Sequence, residues 1–222
     1  MRAPVLIPVK PLAQAKSRLA GFLEPQERTR LVLWMLERVL RCCLQAGCSA
    51  VYVVGGDQAV EGVALNLGAY WLCELGADLN ETLACALRYV RQDGRTACLV
   101  LAADLPLLDP GDLQALWAAS DRTGAAVLAP SRDGEGTNAI LIPSGSLFRP
   151  AFGPASRWRH RSLLRAEGLV VEEVHRIGLA HDVDRPEDLT HPVMELPGFP
   201  IPRLFGRPVL LDRESERIEN TG

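Results

Sequence analysis

Lysine is almost missing from this sequence. Of its 24 basic side chains only Lys10 and Lys16 are lysines, and both fall in "VKPLAQAKSRLAG". Runs of one charge are missing too, and the formal net charge is only −3. That balance excludes the basic footprint of a nucleic-acid binder, so no nucleic-acid partner is expected. An anionic ligand would have to be held by a local cluster of cations. No segment approaches the roughly 18 apolar residues of a membrane span. The apolar part of "MRAPVLIPVK" is also shorter than the hydrophobic region of a secretory signal. A cytoplasmic protein without a membrane partner is the expectation. The six cysteines contain no CxxC pair and lie mostly within apolar patterns, which favours reduced core thiols over zinc or disulfides. No HxH or HExxH spacing suggests zinc, so His175 and His181 read as surface or packing residues.

What the sequence does contain is an alternation of strand and helix signals. The chain of 222 residues is 48% apolar and 23% charged, enough for one sizeable globular domain. "PVLIPV", "AVYVVGG", "ACLVLAAD", "AAVLAPS", "TNAILIP" and "LVVEEVHR" read as strands, and "LAHDV" as a further short one. Helices are predicted from Pro25 to Gly47, over "QAVEGVALNLG" and "NETLACALRYVRQ", from Pro110 over "PGDLQALWAAS", over "SRWRHRSLLRAEG", and opening at "DRPEDL". Such alternation predicts an α/β fold: a mixed, mostly parallel sheet with helices on both faces and ligands outside the carboxyl ends of the strands. The predicted domain spans 1–190. The segment 191–222 is proline-rich and then charged, a tail that could wrap the domain or meet a partner subunit, so a homodimer is possible.

Four groups of residues could carry chemistry. Lys10, Lys16, Ser17 and Arg18 follow the first strand, where a basic loop leading to a helix suits phosphate. The loop has no Walker A pattern, and a merely solvated basic loop would look the same. Asp104 follows an apolar strand in "LAADLPLLDP" and could hold a Mg²⁺ shared with substrate phosphates. A turn aspartate is the alternative, whereas Asp109 before Pro110 has the pattern of a helix cap. In "AHDVDRPEDL", Asp182 and Asp184 alternate along an extended segment and so face one way. Asp184 also competes for the role of helix N-cap. Last come "DGEGTNAILIP" and "FGPASRWRH". Gly134, Gly136, Thr137 and Asn138 read as a flexible turn, while Gly153, Ser156, Arg157, Arg159 and His160 open a helix whose N-terminus could meet an anion.

Taken in order, "IPVKPLAQAKSRLAG", "ADLPLL", "GTNAILI", "FGPASRWRH" and "HDVDRPEDL" resemble motifs of the guanylyltransferases of coenzyme F420 biosynthesis, over roughly residues 5–190. That family acts on 2-phospho-L-lactate or phosphoenolpyruvate. The resemblance implies a nucleotidyltransferase fold of the glycosyltransferase-A type, related to the Rossmann arrangement. It implies GTP and a three-carbon phosphorylated acid as small-molecule substrates, with Mg²⁺, two ions being expected. By motif, Lys10, Lys16 and Arg18 would hold the GTP phosphates and carry catalysis, with Ser17 beside them. Asp104, Asp182 and Asp184 would correspond to the metal-binding carboxylates, and Thr137, Gly153 and Ser156 to the cradle for the acceptor. "ADLNETLACAL" is similar to a family segment near the nucleotide, which places Asn80 by the base or ribose, although Asp78 stands where the family has glycine. Two alternatives remain open from the residues alone: a nucleotidyltransferase for a sugar phosphate or molybdopterin, and a non-catalytic nucleotide-binding protein.

Overall fold

The computed structural model describes residues 2–73, 76–91 and 96–204. Strand β1 (Val5–Val9) leads through a loop into helix α1 (Pro25–Gln45). Strand β2 (Val51–Gly55), helix α2 (Gln58–Asn66) and the short strand β3 (Tyr70–Leu72) come next. Helix α3 (Leu79–Arg91), strand β4 (Cys98–Leu101) and helix α4 (Pro110–Thr123) form the middle of the chain. Strands β5 (Ala126–Pro130) and β6 (Thr137–Ile142) precede helix α5 (Ser156–Ala166) and strand β7 (Val171–Glu173). Two short helices, α6 (Ile177–Ala180) and α7 (His191–Met194), follow.

The strands make one seven-stranded sheet in the order β3-β2-β1-β4-β6-β5-β7. The sheet is mixed and mostly parallel, as expected: four of the six neighbouring pairs are parallel, and β6 runs antiparallel to both β4 and β5. Side-chain alternation explains how the sheet acquires two cores. Val5, Ile7 and Val9 face one cluster with α1, α2 and α4, while Leu6 faces the other with α3 and α5. Helices therefore cover both faces, because a mostly parallel sheet buried on both sides must be apolar on both.

Helix α1 is apolar over a wide arc for a separate reason. Leu36, Val39, Leu40 and Cys43 pack on the sheet, whereas Leu31 and Met35 form a third cluster with Val193, Met194, Phe199, Ile201 and Leu204. The segment 191–204 thus lies against the outer side of α1. Each fully buried aliphatic or aromatic side chain there contributes about 1.5–3 kcal/mol. Arg203 closes the arrangement with two hydrogen bonds to the Glu27 carboxylate, at 2.7 and 2.6 Å. The rest of the proline-rich tail, 205–222, lies outside the described residues.

Several local expectations need correction. Strand β3 has no counterpart among the predicted strands, because "YWL" at a sheet edge is too short to show alternation. Strand β4 ends at Leu101, three residues before Asp104, where the Ala102 N–H turns to the Asn138 carbonyl. "LAHDV" is no strand: Leu179 and Ala180 close α6, and an irregular segment follows. The helix expected at "DRPEDL" is a single 3-10 turn, Pro186–Asp188. Asp184 is not its cap, since the Asp188 carboxylate accepts the N–H groups of both Asp184 and Arg185. Thr137 and Asn138 are buried strand residues, not a flexible turn.

Candidate functional site

The carboxyl ends of β1 and β4 meet at the middle of the sheet, and the reversal of β6 brings that strand's first residues to the same edge. A cleft of about 510 Å³ opens there. Lys10, Lys16, Ser17, Arg18, Asp104, Thr137, Asn138, Gly153, Asp182 and Asp184 all line it. Residues from five separate stretches of the sequence are thereby brought to one place.

The loop after β1 is shaped by two devices. The Asp57 carboxylate caps α2 through the N–H groups of Ala59 and Val60, and its second oxygen accepts the Leu12 N–H at 3.1 Å. Lys16 then adopts a left-handed backbone conformation, φ 53°, which a non-glycine residue takes only under constraint. This turn sends its ammonium inward, where Nζ donates to Asp104 and, at 2.8 Å, to Asp184. Only 8% of the Lys16 side chain remains exposed, against 26% for Asp104 and 43% for Asp184. Burial alone would lower the Lys16 pKa, but the charges of Asp104 and Asp184 outweigh it and the net shift is upward. At Asp184 burial pushes the pKa up, and Lys16, Arg18 and Lys10 together bring it below its ordinary value. Arg18 reaches Asp184 only at 3.5 Å and is exposed, so this ion pair is weak and free to take another anion.

Asp182 behaves differently. Burial raises its pKa, reinforced by the charges of Asp104 and Asp184 and opposed by a hydrogen bond from Asn138. The Asn138 amide donates to Asp182 at 3.0 Å and to the carbonyls of Leu179 and Ala180, so it anchors the whole α6–Asp182 turn to β6. The Val183 N–H donates to the Asp104 carbonyl, which ties the two acidic segments together. Among the described residues no group of three His, Cys, Asp or Glu side chains is arranged to hold a metal ion. The donor chemistry nonetheless fits a hard cation: Asp104 and Asp184 offer carboxylate oxygens to an open cleft, and Mg²⁺ takes one or two carboxylates plus phosphate and water oxygens.

Around Thr137 the hydrogen-bonding side chains are neutral, with the Arg159 guanidinium nearby at Gly153. Thr137 Oγ1 lies 3.0 Å from His160 Nδ1 and 3.5 Å from Ser156 Oγ. Ser156 is buried behind Thr137 and does not line the cleft. Gly153 has φ 119°, and a side chain there would stand 3.1 Å from the Arg159 guanidinium. Asn80 is also outside the lining; its amide grips the backbone of Phe152, accepting the N–H at 2.6 Å and donating to the carbonyl at 3.2 Å. Asp78, in place of glycine, accepts the Glu81 N–H in the first turn of α3.

Sequence reasoning passed over Asp57, Asn138 as an anchor, and His160 as a buried partner of Thr137. For Asp57 a signal existed, an aspartate just before a helix. For the other two there was none, because both act across the fold on residues far along the chain.

A family model described as guanylyl transferase CofC-like matches residues 3–198. Phosphoenolpyruvate guanylyltransferase from Rubrobacter xylanophilus is 39% identical over 184 residues, 83% of this chain and 90% of that protein. The protein of the same name from Nocardia farcinica is 42% identical, covering 85% of this chain and 84% of its own. Among solved structures, a putative nucleotide-diphospho-sugar transferase from Desulfovibrio desulfuricans superposes with a TM-score of 0.71 at 17% identity, over 90% of each chain. A 2-C-methyl-D-erythritol 4-phosphate cytidylyltransferase from Thermus thermophilus does so with a TM-score of 0.50 at 21% identity, over 85% of this chain and 96% of that one. These two share the fold. The chain belongs to the CofC-like guanylyl transferase family and is a nucleotidyltransferase.

Proposed function

We propose that this guanylyl transferase moves GMP from GTP to a small phosphorylated three-carbon acid, phosphoenolpyruvate or 2-phospho-L-lactate, in coenzyme F420 biosynthesis. The similarity to proteins named phosphoenolpyruvate guanylyltransferase favours phosphoenolpyruvate as the acceptor. The observation that carries the reading is Lys16, buried in a left-handed turn between two carboxylates at the carboxyl edge of the sheet. A phosphate oxygen of the acceptor attacks the α-phosphorus of GTP, the bond from that phosphorus to the bridging oxygen breaks, and pyrophosphate leaves. The nucleophile is already an anion, so no serine, cysteine or histidine has to be activated. What the protein must supply is alignment and charge neutralisation.

Lys10, Lys16, Ser17 and Arg18 bind the triphosphate in this reading. Lys16 exchanges one of its carboxylate partners for a phosphate oxygen, and the flexible ammonium follows the charge as it moves to pyrophosphate. Asp104, Asp182 and Asp184 would hold Mg²⁺, which supplies further charge neutralisation when bound. Thr137, Gly153 and the N-terminal turn at Ser156 receive the acceptor. Asn80, expected by motif beside the nucleotide, acts in this reading by holding the Phe152 backbone, and with it the loop that carries Gly153, in place.

Pyrophosphate release from GTP and Mg²⁺, measured separately with phosphoenolpyruvate, 2-phospho-L-lactate and 3-phospho-D-glycerate, tests the proposal. Release with phosphoenolpyruvate alone is the expected result. Silence with all three acids despite GTP binding would refute it.

A further inference from the structure

We propose that His160 is a positioning residue: it fixes the Thr137 hydroxyl as a hydrogen-bond donor into the cleft, toward an anionic oxygen of the acceptor acid. The inference rests on the reading that Thr137 belongs to the acceptor end.

The backbone fixes the tautomer of the His160 ring. The Ala151 N–H donates to His160 Nε2 at 3.0 Å. An N–H can donate only to a bare ring nitrogen, so Nε2 carries no proton. A neutral imidazole has one proton, which then sits on Nδ1. Nδ1 is 3.0 Å from Thr137 Oγ1, so the ring donates there and the threonine oxygen accepts. Ser156 Oγ, at 3.5 Å, stands at the outer limit of a second hydrogen bond to the same oxygen. With its oxygen engaged from behind, Thr137 turns its own hydrogen toward the cleft it lines.

The surroundings hold this arrangement. His160 is fully buried, and burial together with the neighbouring Arg159 charge pushes its pKa down to about 4. The ring therefore stays neutral across physiological pH, and its single proton stays committed. Phe148 and Phe152 pack their rings edge-on to the imidazole at 5.4 and 4.6 Å, which stops it from rotating. Ala151 and Phe152 belong to the same loop as Gly153, so His160 also sets the height of that loop over β6. A donor aimed in advance at an incoming anion needs no reorganisation when the anion arrives.

Two variants separate the ring's two hydrogen bonds. His160→Asn places an amide N–H where Nδ1 was and keeps the donor to Thr137. His160→Gln places an amide oxygen where Nε2 was and keeps only the acceptor for Ala151. Steady-state kinetics of both, with Thr137→Val and the double variant Thr137→Val/His160→Gln, form the test, and thermal melting checks that each is folded. His160→Gln should raise the acceptor KM about tenfold and leave the KM for GTP within about twofold. His160→Asn should restore the acceptor KM to within about threefold of wild type, and the double variant should match Thr137→Val alone. Equal losses in the Asn and Gln variants, or additive losses in the double variant, would overturn the positioning role while leaving the acceptor end intact. An unchanged acceptor KM in Thr137→Val would overturn both the role and that placement, even with pyrophosphate release preserved in wild type.

Discussion

At one end of the cleft a buried ammonium sits between two carboxylates that face solvent; at the other, two hydroxyls and a neutral imidazole are packed with no formal charge among them. The contrast follows from what each end is proposed to meet. Pyrophosphate gains charge as it departs, so its site needs cations that can change partners. The acceptor's position must instead be set before reaction, which favours rigid neutral donors. Hydrogen bonds to charged groups are worth about 1.5–3 kcal/mol, and neutral ones about 0.5–1.5 kcal/mol. The charged end therefore carries more energy and the neutral end more geometry.

Breaking the charged end should have the largest effect. Lys16→Ala is expected to lower turnover by about 10²–10³-fold, the scale for losing one transition-state donor in a closed site. Circular dichroism should show an intact fold, and turnover near wild type would refute the assignment. Lys16→Arg sharpens the comparison, because a planar fork cannot follow phosphate oxygens as an ammonium can, and it should recover little activity.

The neutral end should break through geometry. Gly153→Ala puts a side chain on a backbone with φ 119°, 3.1 Å from Arg159. A strain of about 1–3 kcal/mol is expected, measurable by denaturant unfolding, with a raised acceptor KM and an unchanged KM for GTP. An equal rise in both constants would mean that the two ends do not act separately.

The smallest effect lies outside the cleft, at Glu27 and Arg203. Burial pushes the Glu27 pKa up, yet the hydrogen bonds from Arg203 outweigh it and hold the carboxyl at about 2, below its ordinary 4.5. A depressed pKa means that the pair's stabilisation is present above pH 4.5 and is lost as pH falls toward 2. Because Arg203 is nearly half exposed, Glu27→Gln should cost only about 1 kcal/mol at neutral pH. Melting temperature against pH checks this, and the variant should show a flatter loss below pH 4.5 than wild type.

Much of this molecule is legible along the chain. The spacing of Leu31, Met35, Val39 and Cys43 reveals α1, and Pro25, Pro110 and Gly47 mark helix ends, since these signals come from local backbone preferences. Strand β3 and the short α6 escape such reading, because three or four residues do not complete a period. The candidate site divides the same way. Lys10, Lys16, Arg18, Asp104, Asp182 and Asp184 stand out as charges beside apolar runs, and all six line the cleft. Asn80 and Ser156 carry motif likeness too, but packing turns their polar groups toward Phe152 and Thr137.

The order of elements, the two-faced sheet and the charged residues at its edge were determined by the sequence, through side-chain period and turn chemistry that act within a few residues. The direction of β6 was decided only in the tertiary structure. By running antiparallel it brings Thr137 and Asn138 to the edge that holds Lys10 and Asp104, where a parallel strand would have carried them to the far side. No local signal encodes that choice, because strand direction depends on which neighbours satisfy the backbone hydrogen bonds. The Lys16 turn, the Asn138 anchor and the His160 tautomer belong to the same class: each exists only because residues distant in sequence close around it.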